Sequence, residues 1–170
     1  ILAHCVHVPA GEFGKLHLAE SWLVHNPRSN MNNGVGRAPV HLFGGRSALG
    51  TDGFPADMFE EARTAFLKSH DFGCTGQDVQ LPELLHGGQR MISEIFGEQF
   101  GTFGKGAVAD LIVVDYHPPT PVKTGNLAGH FLFGMRSSMV ESVMVGGTWV
   151  MKDRQFPRLD LRSIYDRSGK

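Results

Sequence analysis

A chain of 170 residues with 41% apolar and 19% charged side chains describes one ordinary globular domain or two small ones, and excludes a disordered or fibrous protein. Its formal charge of -1, from 16 cations and 17 anions without a basic cluster, gives no electrostatic reason to invoke nucleic acid or an anionic membrane. No apolar run approaches the ~20 residues that span a bilayer, and Cys5 and Cys74 have no disulfide or zinc spacing, so reduced thiols in the cytoplasm are expected.

The first residues, Ile1-Leu2-Ala3-His4, lack the basic flank and long apolar region of a secretory signal. They also lack an initiator Met and begin in mid-strand, as a truncated chain would. Residues 1–6 read as a buried strand broken by Pro9 and Gly11, and Glu12 to Glu20 as a short helix with Phe13, Leu16 and Leu18 partly buried. Trp22 to Val24 are strand-like and stop at His25-Asn26-Pro27, because the residue before proline is pushed out of helical geometry. The segment 28–36, rich in amides and glycine, reads as a loop that surrounds a polar ligand or simply turns. A helical turn over Ala38 to Phe43 precedes a third strand, Ser47 to Leu49.

After Gly53 comes the clearest helix, capped by Asp57 with Glu60 three positions on as in a capping box, and with Phe59, Ala62 and Phe66 near one face. A polar loop over 71–80 follows. Pro82 then opens a second helix whose apolar set includes Leu84, Leu85, Met91 and Ile92, closed by Gly97. Strand and helix alternate to this point, which is the grammar of a parallel α/β sheet. From about residue 100 the pattern changes to β structure: a strand over Ala109 to Val114, a stiff proline loop, and two strands, Val140 to Val145 and Thr148 to Met151, joined by Gly146-Gly147 as a hairpin.

Three apolar runs therefore end in polar clusters: His4, His25 with Asn26, and Asp52. In an α/β barrel the chemistry sits where parallel strands run out. Asp52 at such an end can ligate a divalent metal through one oxygen and take a proton through the other; against this, Asp52-Gly53 is a common turn dipeptide. His4 can bind metal as a neutral imidazole or polarise the atom under attack, or it is a histidine hydrogen-bonded in the core. His7, at an odd offset, would face the other side of the strand. His25 and Asn26 can line the pocket and orient substrate, although a structural hydrogen-bonding role suits His25 as well. Asn30, Asn32 and Asn33 read as loop amides and Asp57 as a helix cap. Neither a nucleotide-binding phosphate loop nor the Gly-x-Ser-x-Gly elbow of serine hydrolases is present.

The runs Ala3-His4-Cys5-Val6-His7, Val24-His25-Asn26-Pro27 with Ser29-Asn30, and Leu49-Gly50-Thr51-Asp52-Gly53 resemble the last three strand ends of the amidohydrolase superfamily, in its deaminase and chlorohydrolase branch. Gly106 to Asp115 resembles the return of the chain into that family's β-sandwich. Pro118-Pro119-Thr120-Pro121, Asn126, His130, Leu132-Phe133-Gly134 and Met151 to Arg154 resemble the SsnA-type aminohydrolases linked to selenium metabolism.

The resemblance implies an α/β fold: the C-terminal portion of a metal-dependent hydrolase (β/α)8 barrel, namely its last three strands, plus part of a small composite β-sandwich. Residues 1–100 would be the barrel part, strands six to eight with their helices, and 101–170 the sandwich part. It implies a hydrolase of carbon–nitrogen bonds other than peptides, an aminohydrolase or deaminase of a small nitrogen heterocycle. Asp52 would be metal ligand and proton shuttle, and His4 the catalytic histidine that hydrogen-bonds the attacked centre. His25 and Asn26 remain substrate-binding candidates. The cofactor would be a divalent metal, zinc above all, whose remaining ligands lie on earlier strands with no counterpart here. Three strands cannot close a barrel of about 250 residues, so the chain alone is expected to be an inactive fragment with exposed sheet edges. The expected partner is a small-molecule substrate, with neither nucleic acid nor membrane, and the resemblance admits a homodimer. Two other functions stay open: a cyclic amide hydrolase, and a non-catalytic scaffold or maturation factor for a selenium-dependent molybdenum enzyme.

Overall fold

A computed structural model describes residues 1–71 and 81–169. The first half builds a three-stranded parallel sheet in the order β1 (Leu2–Ala3), β2 (Leu23–His25), β3 (Ser47–Leu49). A helical turn at Ala10–Glu12 and α1 (Phe13–Leu18) connect β1 to β2; α2 (Pro27–Asn32) and a turn at Val40–Leu42 connect β2 to β3. After β3 come α3 (Met58–Asp71) and α4 (Leu81–Phe96). The polar loop expected over 71–80 lies, from residue 72 onward, outside the described residues.

β2 and β3 are buried along their whole length, in keeping with their apolar runs and with cover on both faces. One core cluster joins Leu49 to Ala62 and Ala65 of α3, to Leu81 and Leu84 of α4, and to Leu132 from the second half. A second gathers Cys5, Phe13, Leu23, Ala38 and Phe43 on the other side, with the Phe13 and Phe43 rings stacked at 5.9 Å.

The second half is a three-stranded antiparallel sheet in the order β4 (Leu111–Val114), β5 (Val140–Val145), β6 (Thr148–Met151). Gly146 and Gly147, at φ of 54° and 74°, form the hairpin connection, because two successive left-handed residues match the twist of the flanking strands. Between β4 and β5 lie α5 (Leu127–Gly129), a π-turn at His130–Gly134 and a short turn at Ser137–Met139. The Arg63 guanidinium of α3 donates to the carbonyls of Leu132 (2.7 Å) and Met135 (3.1 Å), and the Ser137 hydroxyl donates to Asp57 (2.5 Å), tying the two sheets' helices together. A last helix, α6 (Leu161–Ser168), is capped by Asp160.

Four local expectations are corrected. β1 is two residues long and exposed rather than a buried strand over 1–6, because it is an edge strand with β2 alone as its neighbour, and because His4 and Cys5 turn into the left-handed region at φ of 65° and 52°. Leu18, at the end of α1, is 88% exposed. The segment after Pro27 is helical, since proline at the first position of a helix gives up no needed donor. Asp57 does cap α3, accepting from the Glu60 amide at 3.0 Å, but Glu60 does not close a capping box; its carboxylate turns to Arg28 instead.

Candidate active site

The parallel register aligns Leu2 with Leu23 and Leu23 with Ser47, so the three strands run out side by side. His4 directly follows β1, and its amide donates to the Val24 carbonyl (2.9 Å) and to the Asn26 side-chain oxygen (3.2 Å). Asp52 lies three residues beyond β3. The amide of Gly50 donates to the His25 carbonyl at 3.0 Å, which extends the sheet one step before the chain turns. Asp52 itself holds a left-handed φ of 50°. Three non-glycine residues, His4, Cys5 and Asp52, thus carry this unfavourable conformation at one place, at a cost on the order of 1–3 kcal/mol each; such strain collects at ligand sites.

Both side chains line one pocket of about 540 Å³, whose polar wall is His4, His7, Asn30, Asn33 and Asp52 and whose apolar wall includes Val6 and Val8. His4 Nε2 and Asp52 Oδ2 are 3.8 Å apart, with the two side chains 40% and 45% exposed. Each is steered from α2. The Asn30 side-chain oxygen lies 2.8 Å from His4 Nδ1 and accepts its proton, which turns Nε2 toward Asp52. The Ser29 hydroxyl donates to Asp52 Oδ2 at 2.5 Å. At 3.8 Å the two atoms are too far apart for a direct hydrogen bond. They suit a group that carries protons between them, such as water or an amine.

His7 lines the pocket together with His4. The alternation expected to separate the two rings fails because the strand stops at Ala3. His25 and Asn26 sit behind the pocket and not in its lining. His25 is 6% exposed and stands edge-on to Phe43 at 6.3 Å. Its burial, aided by the positive charge of Arg37, depresses its pKa to about 4, so it is a neutral core imidazole at physiological pH. Asn26 touches the site's supports through its side-chain oxygen, which accepts from the His4 amide, and its carbonyl, which accepts from the Asn30 amide at 2.9 Å. The buried Cys5 thiol donates to the Leu2 carbonyl at 3.5 Å, and burial pushes its pKa up, which disfavours the thiolate. Ser29 and Asn30 are the contributors that patterning overlooked; Pro27 at the start of a helix was the available signal that both would sit in its first turn beside the strand ends.

A catalytic zinc takes three protein ligands and a water. Among the described residues no three His, Cys, Asp or Glu side chains come together in that way. His4 and Asp52 offer one imidazole and one carboxylate, with His4 Nδ1 already bonded to Asn30. The described residues therefore do not by themselves fit a metal.

The sequence matches the amidohydrolase family over residues 1–150. This chain belongs to the amidohydrolase family. As an amidohydrolase it is 33% identical to the 5-methylthioadenosine/S-adenosylhomocysteine deaminase of Haloquadratum walsbyi, a match covering 97% of this chain and 39% of the relative. It is 32% identical to the protein of the same name from Thermotoga maritima, over 96% of this chain and 41% of that one. Among solved structures it is similar to a zinc-bound adenosine deaminase from Xanthomonas campestris, with a TM-score of 0.80 at 22% identity, covering 98% of this chain and 40% of that structure. Atrazine chlorohydrolase from Arthrobacter aurescens, complexed with zinc, superposes with a TM-score of 0.76 at 21% identity over 99% of this chain and 39% of that one. The amidohydrolase thus spans about two-fifths of the length of the curated relatives it matches. Its fold is the C-terminal portion of that family's α/β barrel with part of the accompanying β-sandwich. Among the described residues no helix is long and apolar enough to cross a membrane.

Proposed function

We propose that this amidohydrolase chain supplies the His4–Asp52 wall of an active site that hydrolyses a carbon–nitrogen bond of a small nitrogen heterocycle and releases ammonia. The single observation that carries the reading is the convergence of an imidazole and a carboxylate, 3.8 Å apart, on one open pocket, each held by a separate hydrogen bond from one helix turn. The names of the relatives point to a purine nucleoside with an exocyclic amine as the substrate class.

The chain's own groups divide the work as follows. Asp52 accepts a proton from the attacking water, with the Ser29 hydroxyl on Oδ2 fixing the orientation of the carboxylate. The water oxygen bonds to the amine-bearing carbon, and the negative charge that develops on the ring is met by the N–H that the protonated His4 ring presents through Nε2, with Asn30 accepting from Nδ1 and holding the ring in orientation. The proton taken by Asp52 is returned to the departing nitrogen, the carbon–nitrogen bond breaks, and ammonia leaves behind a carbonyl product. Water and amine are converted to carbonyl and ammonia without an electron acceptor. The similar adenosine deaminase and atrazine chlorohydrolase structures hold zinc; such a metal, when bound, would supply Lewis-acid activation of the water. The described residues do not complete its ligand set, so no step above is routed through it.

The test is ammonia release from 5′-methylthioadenosine and S-adenosylhomocysteine by the full gene product. Turnover that is lost in Asp52→Asn supports the reading. A folded protein that releases no ammonia from either nucleoside contradicts it and favours the non-catalytic scaffold.

A further inference from the structure

Helix α2 carries both side chains that steer the reacting pair, yet it is six residues long. A helix that short is not stable on its own, so its placement depends on what grips it. Arg28, in the same turn as Ser29 and Asn30, does so while lying outside the pocket lining, 8% exposed. Its backbone amide donates to Glu61 Oε1 at 3.1 Å and its Nε donates to Glu61 Oε2, while Glu61 is fully buried on α3. Its Nη2 donates to the Pro55 carbonyl at 2.7 Å, its Nη1 reaches Glu60 at 3.4 Å, and the guanidinium stands 5.3 Å from the centre of the Phe54 ring. Phe54 and Pro55 belong to the turn that carries Asp52, closed by the Phe54 amide on the Thr51 carbonyl at 3.1 Å.

One guanidinium therefore joins three pieces: the helix turn that steers His4 and Asp52, the turn that carries Asp52, and the rigid helix behind both. We propose that Arg28, locked in place by Glu61, is a positioning residue that sets the separation of the His4 imidazole and the Asp52 carboxylate; this rests on the reading of those two as the reacting pair. The choice of residue fits the task. Only arginine presents several N–H donors in a fixed fork that can hold a carboxylate and a carbonyl at once. A buried ion pair adds little stability over well-packed apolar side chains of similar volume, so its use here is better explained by geometry. A misplacement of about 1 Å in a reacting pair can cost on the order of 100-fold in rate.

The experiment compares the full gene product with Arg28→Lys and with Arg28→Met/Glu61→Met, reading thermal melting, steady-state ammonia release from 5′-methylthioadenosine, and amide hydrogen exchange. Arg28→Lys keeps a cation beside Glu61 and the double variant removes both charges, so both are expected to melt cooperatively. Both lose at least about 10-fold in kcat with KM within about 3-fold. Exchange accelerates about 10-fold or more at residues 27–32 and 51–57, while amides of β5 and β6 keep their protection. An Arg28→Lys protein with undiminished kcat overturns the proposal, and so does exchange that quickens uniformly along the chain or not at all in those segments. If the unmodified protein releases no ammonia, the functional reading fails, and the exchange pattern alone decides the clamp: loosening confined to the two segments upholds it, and its absence overturns it.

Discussion

Gly87 and Gly88 are adjacent in α4, and the same substitution at each should move stability in opposite directions. A Cβ built at Gly87 would lie 1.6 Å from the Ser47 carbonyl oxygen of β3, a backbone atom with no freedom to step aside. Since real Cβ contacts essentially never fall below 3.0 Å, α4 must retreat from the sheet by at least 1.4 Å. A gap of ~0.5–1 Å already forfeits a quarter to a half of the dispersion contact across it. The side chains that lose it are Leu81 and Leu84, 6% and 3% exposed, each worth about 1.5–3 kcal/mol when fully buried. Losing half or more of two such contributions gives a destabilisation of about 3 kcal/mol for Gly87→Ala, at the upper end of the ~1–3 kcal/mol found for overpacked cores. For a chain of this length that is a fall in Tm of roughly 6–12 °C. Gly88 has nothing within 4 Å of its Cβ position; there alanine gains helix propensity of about 0.5–1 kcal/mol and Tm should hold or rise. Thermal melts followed by far-ultraviolet circular dichroism, with urea midpoints as a check, measure both. A Gly87→Ala protein that melts within about 2 °C of the unmodified chain, or a Gly88→Ala protein that falls as far, would refute the close packing of α4 on β3.

His25 makes stability pH-dependent in a defined window. The unfolded chain takes a proton there near pH 6.5 and the folded one resists until about 4, so the unfolded state binds more protons in between; stability is full above pH 6.5 and falls by up to about 3 kcal/mol as pH drops to 4. Urea midpoints from pH 7.5 to 4.5 should slope less in His25→Gln, and equal slopes would contradict the assignment. Glu61→Ala leaves the Arg28 cation buried without its partner and should cost about 3–5 kcal/mol, far more than the paired replacement of both residues by methionine; similar losses in the two proteins would argue against a tight buried pair. Ser29→Ala removes the hydroxyl that holds Asp52 and lets the carboxylate leave its position, so kcat for ammonia release should drop about 10-fold or more, while Tm changes little because the Asp52 side chain is 45% exposed. Unaltered kcat would detach Ser29 from the reacting carboxylate.

Much of the framework follows from short-range signals that act within a few residues. Ser47 to Leu49, the α3 cap at Asp57, the start of α4 around Pro82 and the Gly146-Gly147 hairpin all have the bounds that apolar runs, caps and turn residues imply. The parallel order of the first sheet makes the meeting of His4 and Asp52 legible too, since side-by-side strands must present their ends on one edge. What the pattern does not carry is set by contacts distant in sequence. The turn of His4 and Cys5 into left-handed backbone brings His7 to the pocket, against the alternation rule, and that turn depends on the bonds from the His4 amide to Val24 and Asn26. Arg28 begins a segment that reads as a loop, and nothing near it in sequence announces its partner Glu61, 33 residues away. His25 shows the same limit in reverse: an imidazole next to a strand end looks functional, but the ring turns into the core against Phe43.

Asp52→Asn in the full gene product is the most direct measurement of the central claim. It leaves the Ser29 partner an oxygen to bond but withdraws the carboxylate's capacity to take a proton, a loss typically worth about 10²–10⁴-fold in rate. Ammonia release from 5′-methylthioadenosine should fall by that order while KM and Tm stay close to those of the unmodified protein. Full turnover in a folded Asp52→Asn protein would show that the proton is moved elsewhere and that the His4–Asp52 pocket is not where the chemistry occurs.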